Sequence, residues 1–351
     1  MPELPEVETV RRGLEKLIVG RKILNIEIFN DKSFQASVND MKNFVFGSKI
    51  VATRRRAKVL IIDLSTNYSL VIHLKMTGQI VFREDAKNGG ENWGGGHPTE
   101  SFLAELPDKS TRVEFNLSSF GETVFSSADL PKKMSYTGAP AEPSLRDEPV
   151  GHVRNIHFLS SNLVDADEKS FAKTTAKLFF NDQRKFGWIK LVPTSEINDM
   201  DFIKKLGPEP LTGEPEKEFL QRVKRHANTT IKAAILSQEV IAGIGNIYAD
   251  EALWGAKIHP ADKVKDLTDA QLKNILTESI EAMRKSLAAG GSTMTNYVQA
   301  DGSRGNYLDK FANVFRREGQ PCPRCGTTIE KIRVAGRGTH ICPKCQKLMS
   351  D

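Results

Sequence analysis

The sequence predicts an α+β fold of several domains: an N-terminal helix on an antiparallel β-sandwich, then a helical domain, then a small C-terminal ribbon. Three observations indicate this class. Short strand-like runs fill the first 195 residues, the apolar period becomes helical after residue 214, and all four cysteines lie within 322–345. A chain of 351 residues is long enough for two or three domains, each with its own core.

The first helix is predicted over residues 4–17. Its apolar residues recur at helical spacing: Leu4, Val7, Val10, Leu14 and Leu17. Pro5 suits the first turn, because its fixed φ fits there and no amide hydrogen bond is lost. Pro2 has no such explanation and raises the question of what it does at the chain terminus.

Strands are predicted at 22–30, 44–54, 57–64, 68–82, 111–117, 122–126, 152–159 and 176–192. With the first helix they form one domain, residues 1–195. Two stretches do not fit a sandwich: residues near 83–110 are rich in glycine, and residues near 127–150 lack periodicity. Both are predicted to be surface insertions.

A helical domain is predicted over residues 200–295. Its sequence gives four successive helical patterns, at 214–227, 230–238, 246–256 and 268–291. A less regular segment, 296–317, then leads to the ribbon at 318–351.

The four cysteines form two Cys-x2-Cys pairs with sixteen residues between them: Cys322 and Cys325, then Cys342 and Cys345. Two such pairs make a closed tetrahedral thiolate site, which predicts one structural Zn²⁺. Two disulfides are the alternative, and they are disfavoured in a cytoplasmic chain. Residues 327–341 alternate apolar and polar side chains, which predicts a β-hairpin between the pairs.

Charge is concentrated at the C-terminal end. The whole chain has a net charge of +6, and residues 303–351 alone contain ten Lys/Arg and four Asp/Glu, an equal excess. This pattern favours a polyanionic partner, and a solvated basic tail is the alternative. There is neither an apolar run of ~20 residues nor an apolar signal core, so we expect a cytoplasmic protein without a membrane segment. A monomer is expected as well.

Eight motifs occur in one order: MPELPEVETVRRGL, RRAKVL, HLKMTG, DQRKFGW, LGPEPL, IAGIGNIYADEALWGAKIHP, REGQPCPRCG and GRGTHICPKCQ. In these motifs the chain resembles the formamidopyrimidine-DNA glycosylases, bacterial base-excision enzymes of the helix-two-turn-helix superfamily. The resemblance implies a helix-two-turn-helix domain and a four-cysteine zinc ribbon. It also implies a bifunctional glycosylase and abasic-site lyase that removes oxidised purines, 8-oxoguanine and formamidopyrimidines, from duplex DNA by β,δ-elimination.

The resemblance also implies a catalytic set at the N-terminus. Once Met1 is removed, the secondary amine of Pro2 would attack C1′ of the damaged nucleoside and form an iminium. Glu3 would donate a proton to the sugar ring oxygen, and Glu6 would order a water or the nucleophile. The alternative, that acids in a first turn only complement the helix dipole, is adopted for Glu8.

A nucleotide rotated out of the duplex leaves a gap in the stack. By resemblance, Met76, Arg184 and Phe186 fill it: two apolar wedges and a guanidinium that pairs with the orphaned cytosine. Taken alone, Met76 and Phe186 would more often be core residues.

By resemblance, four residues contact phosphates: Lys58, His73, Asn246 and Arg337, with Lys58 also in the catalytic set. Asn246 opens a helix after a glycine turn, and the amides of such a helix N-terminus attract phosphate. Four contacts predict a salt slope, d log K/d log[salt], of roughly −3 to −4.

Glu209 and Lys232 match positions around the lesion pocket, and residues 298–307 match the lesion-capping loop. Gln183 and Lys185 depart from the family motif, and Lys185 lacks the bidentate guanidinium of arginine. Two other functions stay open: an endonuclease VIII-like glycosylase for oxidised pyrimidines, and a non-catalytic zinc-ribbon DNA-binding protein. Pro2, Glu3 and Glu6 together weigh against the second of these.

Overall fold

The computed structural model describes residues 2–84, 90, 92–96, 105–120, 175–291 and 307–349. Three predicted features lie outside these residues: the strands at 122–126 and 152–159, and the insertion at 127–150. The predicted capping loop at 298–307 also lies outside them, up to residue 306.

The first helix, α1, spans Leu4–Ile18 and confirms the prediction. Its predicted apolar face is buried, and the helix packs against strands of both sheets and against a long helix of the second domain. Leu4 contributes to the core of that second domain, whereas Val7 and later residues contribute to the sandwich core. The start of α1 therefore lies where the two cores meet.

Within the described residues, the sandwich consists of two five-stranded sheets that share one core with α1. One sheet contains β1 (Ile23–Ile28), β6 (Gly78–Glu84), β7 (Asn92–Gly96), β8 (Thr111–Leu117) and β9 (Ala176–Asp182), in the order β1-β8-β9-β6-β7. The other contains β2 (Phe34–Gln35), β3 (Ile50–Arg56), β4 (Val59–Leu64), β5 (Tyr68–His73) and β10 (Trp188–Pro193), in the order β2-β10-β5-β4-β3. All pairs are antiparallel except β2 beside β10, which confirms the predicted architecture.

Three of the predicted strands are wrong in part. The run at 44–54 begins in a π-helix, Met41–Val45, that continues the short helix α2 (Val38–Asp40). The runs at 68–82 and 176–192 are each broken by a turn, at 74–77 and 183–187. These two turns carry Met76 and the pair Arg184 and Phe186.

The predicted surface insertion at 83–110 is also wrong in part, because β7 lies within it and pairs with β6. Trp93 on β7 is buried against α1. A Cβ at Gly13 would come within 2.4 Å of the Trp93 ring, and a Cβ at Gly95 within 2.3 Å of it. The glycines therefore make room for an indole in the core.

The helical domain contains α3 (Asp201–Lys204), α4 (Glu216–Lys224), α5 (Ile231–Leu236), α6 (Asn246–Gly255) and α7 (Asp269–Ala288). The four predicted helices correspond to α4–α7. Every residue of α6 from Ile247 to Leu253 is buried, so this helix runs through the centre of the domain.

The ribbon follows a short helix, α8 (Tyr307–Lys310), and contains the predicted hairpin, β11 (Glu330–Val334) and β12 (Arg337–Ile341). Its turn residues Ala335 and Gly336 have φ of 49° and 74°, as a two-residue type I′ turn requires. Among the described residues, no helix is long and apolar enough to cross a membrane.

Candidate active site

The N-termini of α1 and α6 meet at Glu3. Its carboxylate accepts hydrogen bonds from the backbone amides of Gly245 (2.7 Å) and Ile247 (3.0 Å). The sequence predicted that the amides opening α6 attract phosphate; these two instead bind a side chain of the protein. The amides satisfy Glu3 because a buried carboxylate needs fixed donors and the helix N-terminus supplies them.

The glycines of GIGNIY allow this approach. Gly243 has a φ of +98°, and a Cβ there would meet Leu4 at 2.5 Å. A Cβ at Gly245 would come within 2.4 Å of the Glu3 carboxyl carbon. The predicted tight turn is present, and its second role is to let the first residues of α1 lie against α6.

Glu3 is buried, with 3% of its surface exposed. Burial raises the pKa of Glu3 to about 7; the ammonium of Lys58 opposes this rise and the carboxylate of Glu6 adds to it. A carboxyl group that is partly protonated at neutral pH can both donate and accept a proton. The environment therefore suits Glu3 to general acid–base chemistry.

Glu6 bridges two elements. Its Oε2 accepts the backbone amide hydrogen bond of Glu3 at 2.9 Å, and its Oε1 accepts one from the Tyr248 hydroxyl at 2.7 Å. The amide bonded by Oε2 is the one that joins Glu3 to Pro2, which is buried beside it. Glu6 thus fixes the peptide directly behind the predicted nucleophile.

Lys58 lies in the turn between β3 and β4 and is 5% exposed. Its Nζ donates to the carbonyl oxygen of Ile244 at 2.7 Å, in the turn before α6. Burial lowers the pKa of Lys58, the carboxylates of Glu3 and Glu6 oppose this, and the charge of Arg337 adds to it. The ammonium therefore lies among the N-terminal acids, within the electrostatic reach of the ribbon hairpin.

Glu209 supports the turn that carries Lys58. It accepts from the amide of Ala57 at 2.5 Å and pairs with Arg55 (2.9 Å) and Arg56 (3.1 Å). The side chain is 5% exposed. The structure thus gives Glu209 a supporting position, and a direct contact with the lesion stays a prediction.

Lys232 is fully buried and joins the helical domain to the ribbon. Its Nζ donates to Asp250 at 2.6 Å, to the Thr339 hydroxyl at 2.6 Å and to the Gly338 carbonyl at 3.2 Å. The Asn246 amide donates to the same carbonyl at 3.0 Å. These bonds fix the residues next to Arg337, so Lys232 also supports the site, and its contact with a lesion stays a prediction.

His73 is half-buried at the end of β5. Burial, with Lys75 and Lys58 adding to it, lowers the pKa of His73 to about 3, so the ring is neutral at physiological pH. Nδ1 accepts from the amide of Lys75 at 3.0 Å, which places the proton on Nε2. His73 can donate a hydrogen bond to phosphate, but it releases no counterion.

The salt slope expected from the sequence is therefore too steep for the four predicted phosphate contacts. His73 and Asn246 are neutral, and only Lys58 and Arg337 carry charge. Two cations predict a slope of about −2 from this set.

Met76, Arg184 and Phe186 form one exposed cluster. Arg184 Nη1 lies 3.1 Å from the Met76 sulfur, and the guanidinium lies 4.9 Å from the Phe186 ring centroid. Met76 is 41% and Phe186 55% exposed, which excludes the alternative that they are core residues. The fold thus brings together two apolar side chains and a cation from turns about a hundred residues apart in sequence.

The sequence did not single out Asp182, which ties these two turns together. Its carboxylate accepts from the hydroxyl of Thr77 and from the amides of Arg184 (3.2 Å) and Gly187 (2.7 Å). Its position at the start of DQRKFG was the available signal. The sequence did not single out Tyr248 either, because a tyrosine on a fully buried helix is usually a core residue.

The four cysteines of the ribbon have free thiols, which excludes the disulfide alternative. Their sulfur atoms all lie within 4.8 Å of one another, with three spacings of 3.4, 3.5 and 4.0 Å. Tetrahedral coordination with Zn–S bonds of about 2.3 Å requires spacings of about 3.8 Å. Cys322, Cys325, Cys342 and Cys345 therefore fit one structural Zn²⁺. His340 is directed away from it, towards Asp250 and Glu318.

A buried acid directly after Pro2, an exposed Met–Arg–Phe cluster and a four-cysteine ribbon occur together on one scaffold of sandwich and helical domain. This combination defines a class of protein, the DNA glycosylases of the helix-two-turn-helix superfamily.

Comparison with known proteins identifies the family within this class. Family models match three parts of the chain: the formamidopyrimidine-DNA glycosylase N-terminal domain at residues 1–130, the H2TH domain of that enzyme at 206–298, and the zinc finger found in FPG and IleRS at 319–348. The formamidopyrimidine-DNA glycosylases of Pelotomaculum thermopropionicum and Pediococcus pentosaceus are 33% and 35% identical, over 99% of this chain and all of theirs.

Similarity to solved structures points to the same family. The Lactococcus lactis Fpg bound to DNA with an abasic site superposes with a TM-score of 0.71 at 29% identity, covering 98% of this chain and 99% of that one. A mutant of the same protein bound to Fapy-dG DNA gives 0.70 at 29%, covering 99% and 100%. The chain belongs to the formamidopyrimidine-DNA glycosylase family.

Proposed function

We propose that the chain, as a monomer, removes oxidised purines from duplex DNA and then cleaves the strand at the abasic site by β- and δ-elimination. The observation that carries this proposal is the arrangement at the N-terminus. Glu3 is held by the α6 amides with its pKa near neutrality, and Glu6 holds the peptide between Pro2 and Glu3.

In the proposed reaction, the nitrogen of Pro2, freed by removal of Met1, attacks C1′ of the damaged nucleoside. The bond from C1′ to the base breaks, and the base leaves with the bonding electron pair and takes up the proton that the Pro2 nitrogen gives up. Glu3 protonates the ring oxygen as the sugar opens, which gives an iminium between Pro2 and C1′. Loss of the C2′ proton and of the 3′-phosphate then breaks the strand. A second elimination, with loss of the C4′ proton, releases the 5′-phosphate, and water hydrolyses the iminium to free Pro2.

The ammonium of Lys58 and the guanidinium of Arg337 would hold phosphates on either side of the flipped nucleotide. Met76 and Phe186 would fill the gap in the base stack, and Arg184 would pair with the cytosine left behind. Their exposure as one cluster supports this role. A Zn²⁺ held by the four cysteines would keep the ribbon folded around Arg337.

Borohydride trapping on a duplex with 8-oxoguanine opposite cytosine tests the proposal. A covalent adduct at Pro2 is expected with the wild type, and little adduct is expected with Pro2→Gly or with a form that retains Met1. An adduct that mass spectrometry maps to an internal lysine would refute the assignment of the nucleophile.

A second candidate is the removal of oxidised pyrimidines. It is supported by the similarity, at TM-score 0.70 and 28% identity, to the wild-type Lactococcus lactis Fpg bound to DNA that contains an oxidised pyrimidine. Single-turnover rates on a panel with 8-oxoguanine, a formamidopyrimidine and an oxidised pyrimidine would rank the two. We expect both purine lesions to be removed faster.

A further inference from the structure

Tyr248 lies in the first turns of α6 and is completely buried. Its hydroxyl lies between two oxygens from different helices: Oε1 of Glu6 on α1 at 2.7 Å and Oγ of Ser286 on α7 at 2.6 Å. Three helices thus meet at one phenolic oxygen, directly behind the N-terminal residues.

The direction of these hydrogen bonds follows from the number of protons. A phenol has one proton to donate, and a carboxylate oxygen can only accept. Tyr248 therefore donates to Glu6, and the Ser286 hydroxyl donates to Tyr248. Burial raises the pKa of Tyr248 well above its usual value, and the charges of Glu6 and Glu3 add to the rise, so the phenol keeps its proton.

The same carboxylate makes a second contact that reaches the chain terminus. While Oε1 of Glu6 is held by Tyr248, Oε2 accepts from the amide of Glu3, which is the peptide bond to Pro2. Both oxygens belong to one planar group, so the hydrogen bond at Oε1 sets the direction in which Oε2 points. Loss of the phenol would let this plane rotate away from the Glu3 amide.

We propose that Tyr248 is a positioning residue for the N-terminal nucleophile: its hydroxyl orients Glu6, and Glu6 in turn fixes the peptide that aims the nitrogen of Pro2. This inference rests on the proposed function, since it assigns a purpose to the hydroxyl only if Pro2 attacks the sugar. A purely structural hydroxyl would stabilise the packing of α1, α6 and α7 without affecting the reaction through Glu6.

The variant Tyr248→Phe removes the hydroxyl and keeps the ring. The assay is the single-turnover rate of borohydride trapping on a duplex with an abasic site, together with the Kd for a duplex with an uncleavable tetrahydrofuran analogue. A misdirected nucleophile predicts trapping about 10- to 100-fold slower with the Kd within about twofold of the wild type. Ser286→Ala, which removes the donor to Tyr248 but not the bond to Glu6, should lose less.

A double-mutant cycle with Glu6→Ala separates positioning from packing. If Tyr248 acts through Glu6, the double variant Tyr248→Phe/Glu6→Ala should trap DNA less than about twofold more slowly than Glu6→Ala alone. The matched control is Tyr68→Phe. Tyr68 is the first residue of β5, at the far end of the strand from His73, and stacks on Phe44, so the loss of its hydroxyl should leave the trapping rate unchanged.

Three results would overturn the inference: trapping by Tyr248→Phe at the wild-type rate, a loss that multiplies fully with that of Glu6→Ala, or a slower rate explained by an equal rise in Kd. If the wild type itself gave no adduct, the proposed function would fail and the inference with it. If the wild type forms the adduct and Tyr248→Phe forms it at the same rate, only the positioning role is refuted and the proposed function stands.

Discussion

Replacement of Gly245 by alanine tests whether the placement of Glu3 controls the reaction. The backbone of Gly245 is extended, with φ of −131° and ψ of −158°, so alanine adopts it without strain. The added Cβ, however, would lie 2.4 Å from the Glu3 carboxyl carbon and 2.5 Å from its Oε1. Ordinary contact begins near 3.4 Å, so the carboxylate must move by about 1 Å.

The size of the effect follows from this displacement. A misplacement of about 1 Å at a reacting group costs about 100-fold in rate, equivalent to about 2.7 kcal/mol of transition-state stabilisation. The same movement weakens the hydrogen bonds from Gly245 and Ile247 to Glu3. We therefore expect Gly245→Ala to trap abasic-site DNA about 100-fold more slowly, with its Kd for a tetrahydrofuran duplex within about threefold of the wild type.

Gly213→Ala is the control for a glycine-to-alanine change without a clash. Gly213 has a φ of +64°, and no atom of the described residues lies within 4 Å of a Cβ built on it. Its replacement should cost about 1 kcal/mol in the free energy of unfolding through backbone strain and leave trapping unchanged. A Gly245→Ala protein that traps within threefold of the wild-type rate would refute the reasoning.

Three further predictions concern other parts of the site. Because the pKa of Glu3 is raised to about 7, its proton is available below that pH and lost above it. The wild-type single-turnover rate should therefore fall by up to about tenfold per pH unit between pH 8 and 9, whereas the rate of Glu3→Gln should be low and should not decline in this range. Arg337→Gln should make the salt slope of DNA binding less steep by about 0.9, whereas His73→Gln should weaken binding without changing the slope. Binding titrations at several salt concentrations measure both slopes, and equal changes in the two variants would contradict the neutral state of His73. Asp182→Asn should loosen the turns that carry Met76 and Arg184. The ratio of excision rates with cytosine and with adenine opposite the lesion should then fall by a larger factor than the rate of trapping at a preformed abasic site. An unchanged ratio would show that Asp182 does not hold the cluster.

The sequence by itself determined the features that depend on local patterns. The Cys-x2-Cys spacing defined the ligands of the ribbon, because four thiolates at that spacing converge on one ion. Helical periodicity defined α1 and α4–α7. Alternation and turn residues located most strands and the ribbon hairpin, although the runs at 68–82 and 176–192 concealed the turns that carry the exposed cluster.

The tertiary structure alone decided which groups meet. Glu3 and the amide of Gly245 are 242 residues apart in sequence, and Arg184 and Met76 are 108 apart. Residue type predicted that the amides opening α6 attract phosphate, yet packing placed the Glu3 carboxylate against two of them, and the contact of Asn246 with phosphate stays a prediction. Periodicity reports which face of an element is buried, but the partner of a buried polar group depends on how distant elements pack. For the same reason His73 became a neutral donor, and Glu209 and Lys232 came to lie under the site.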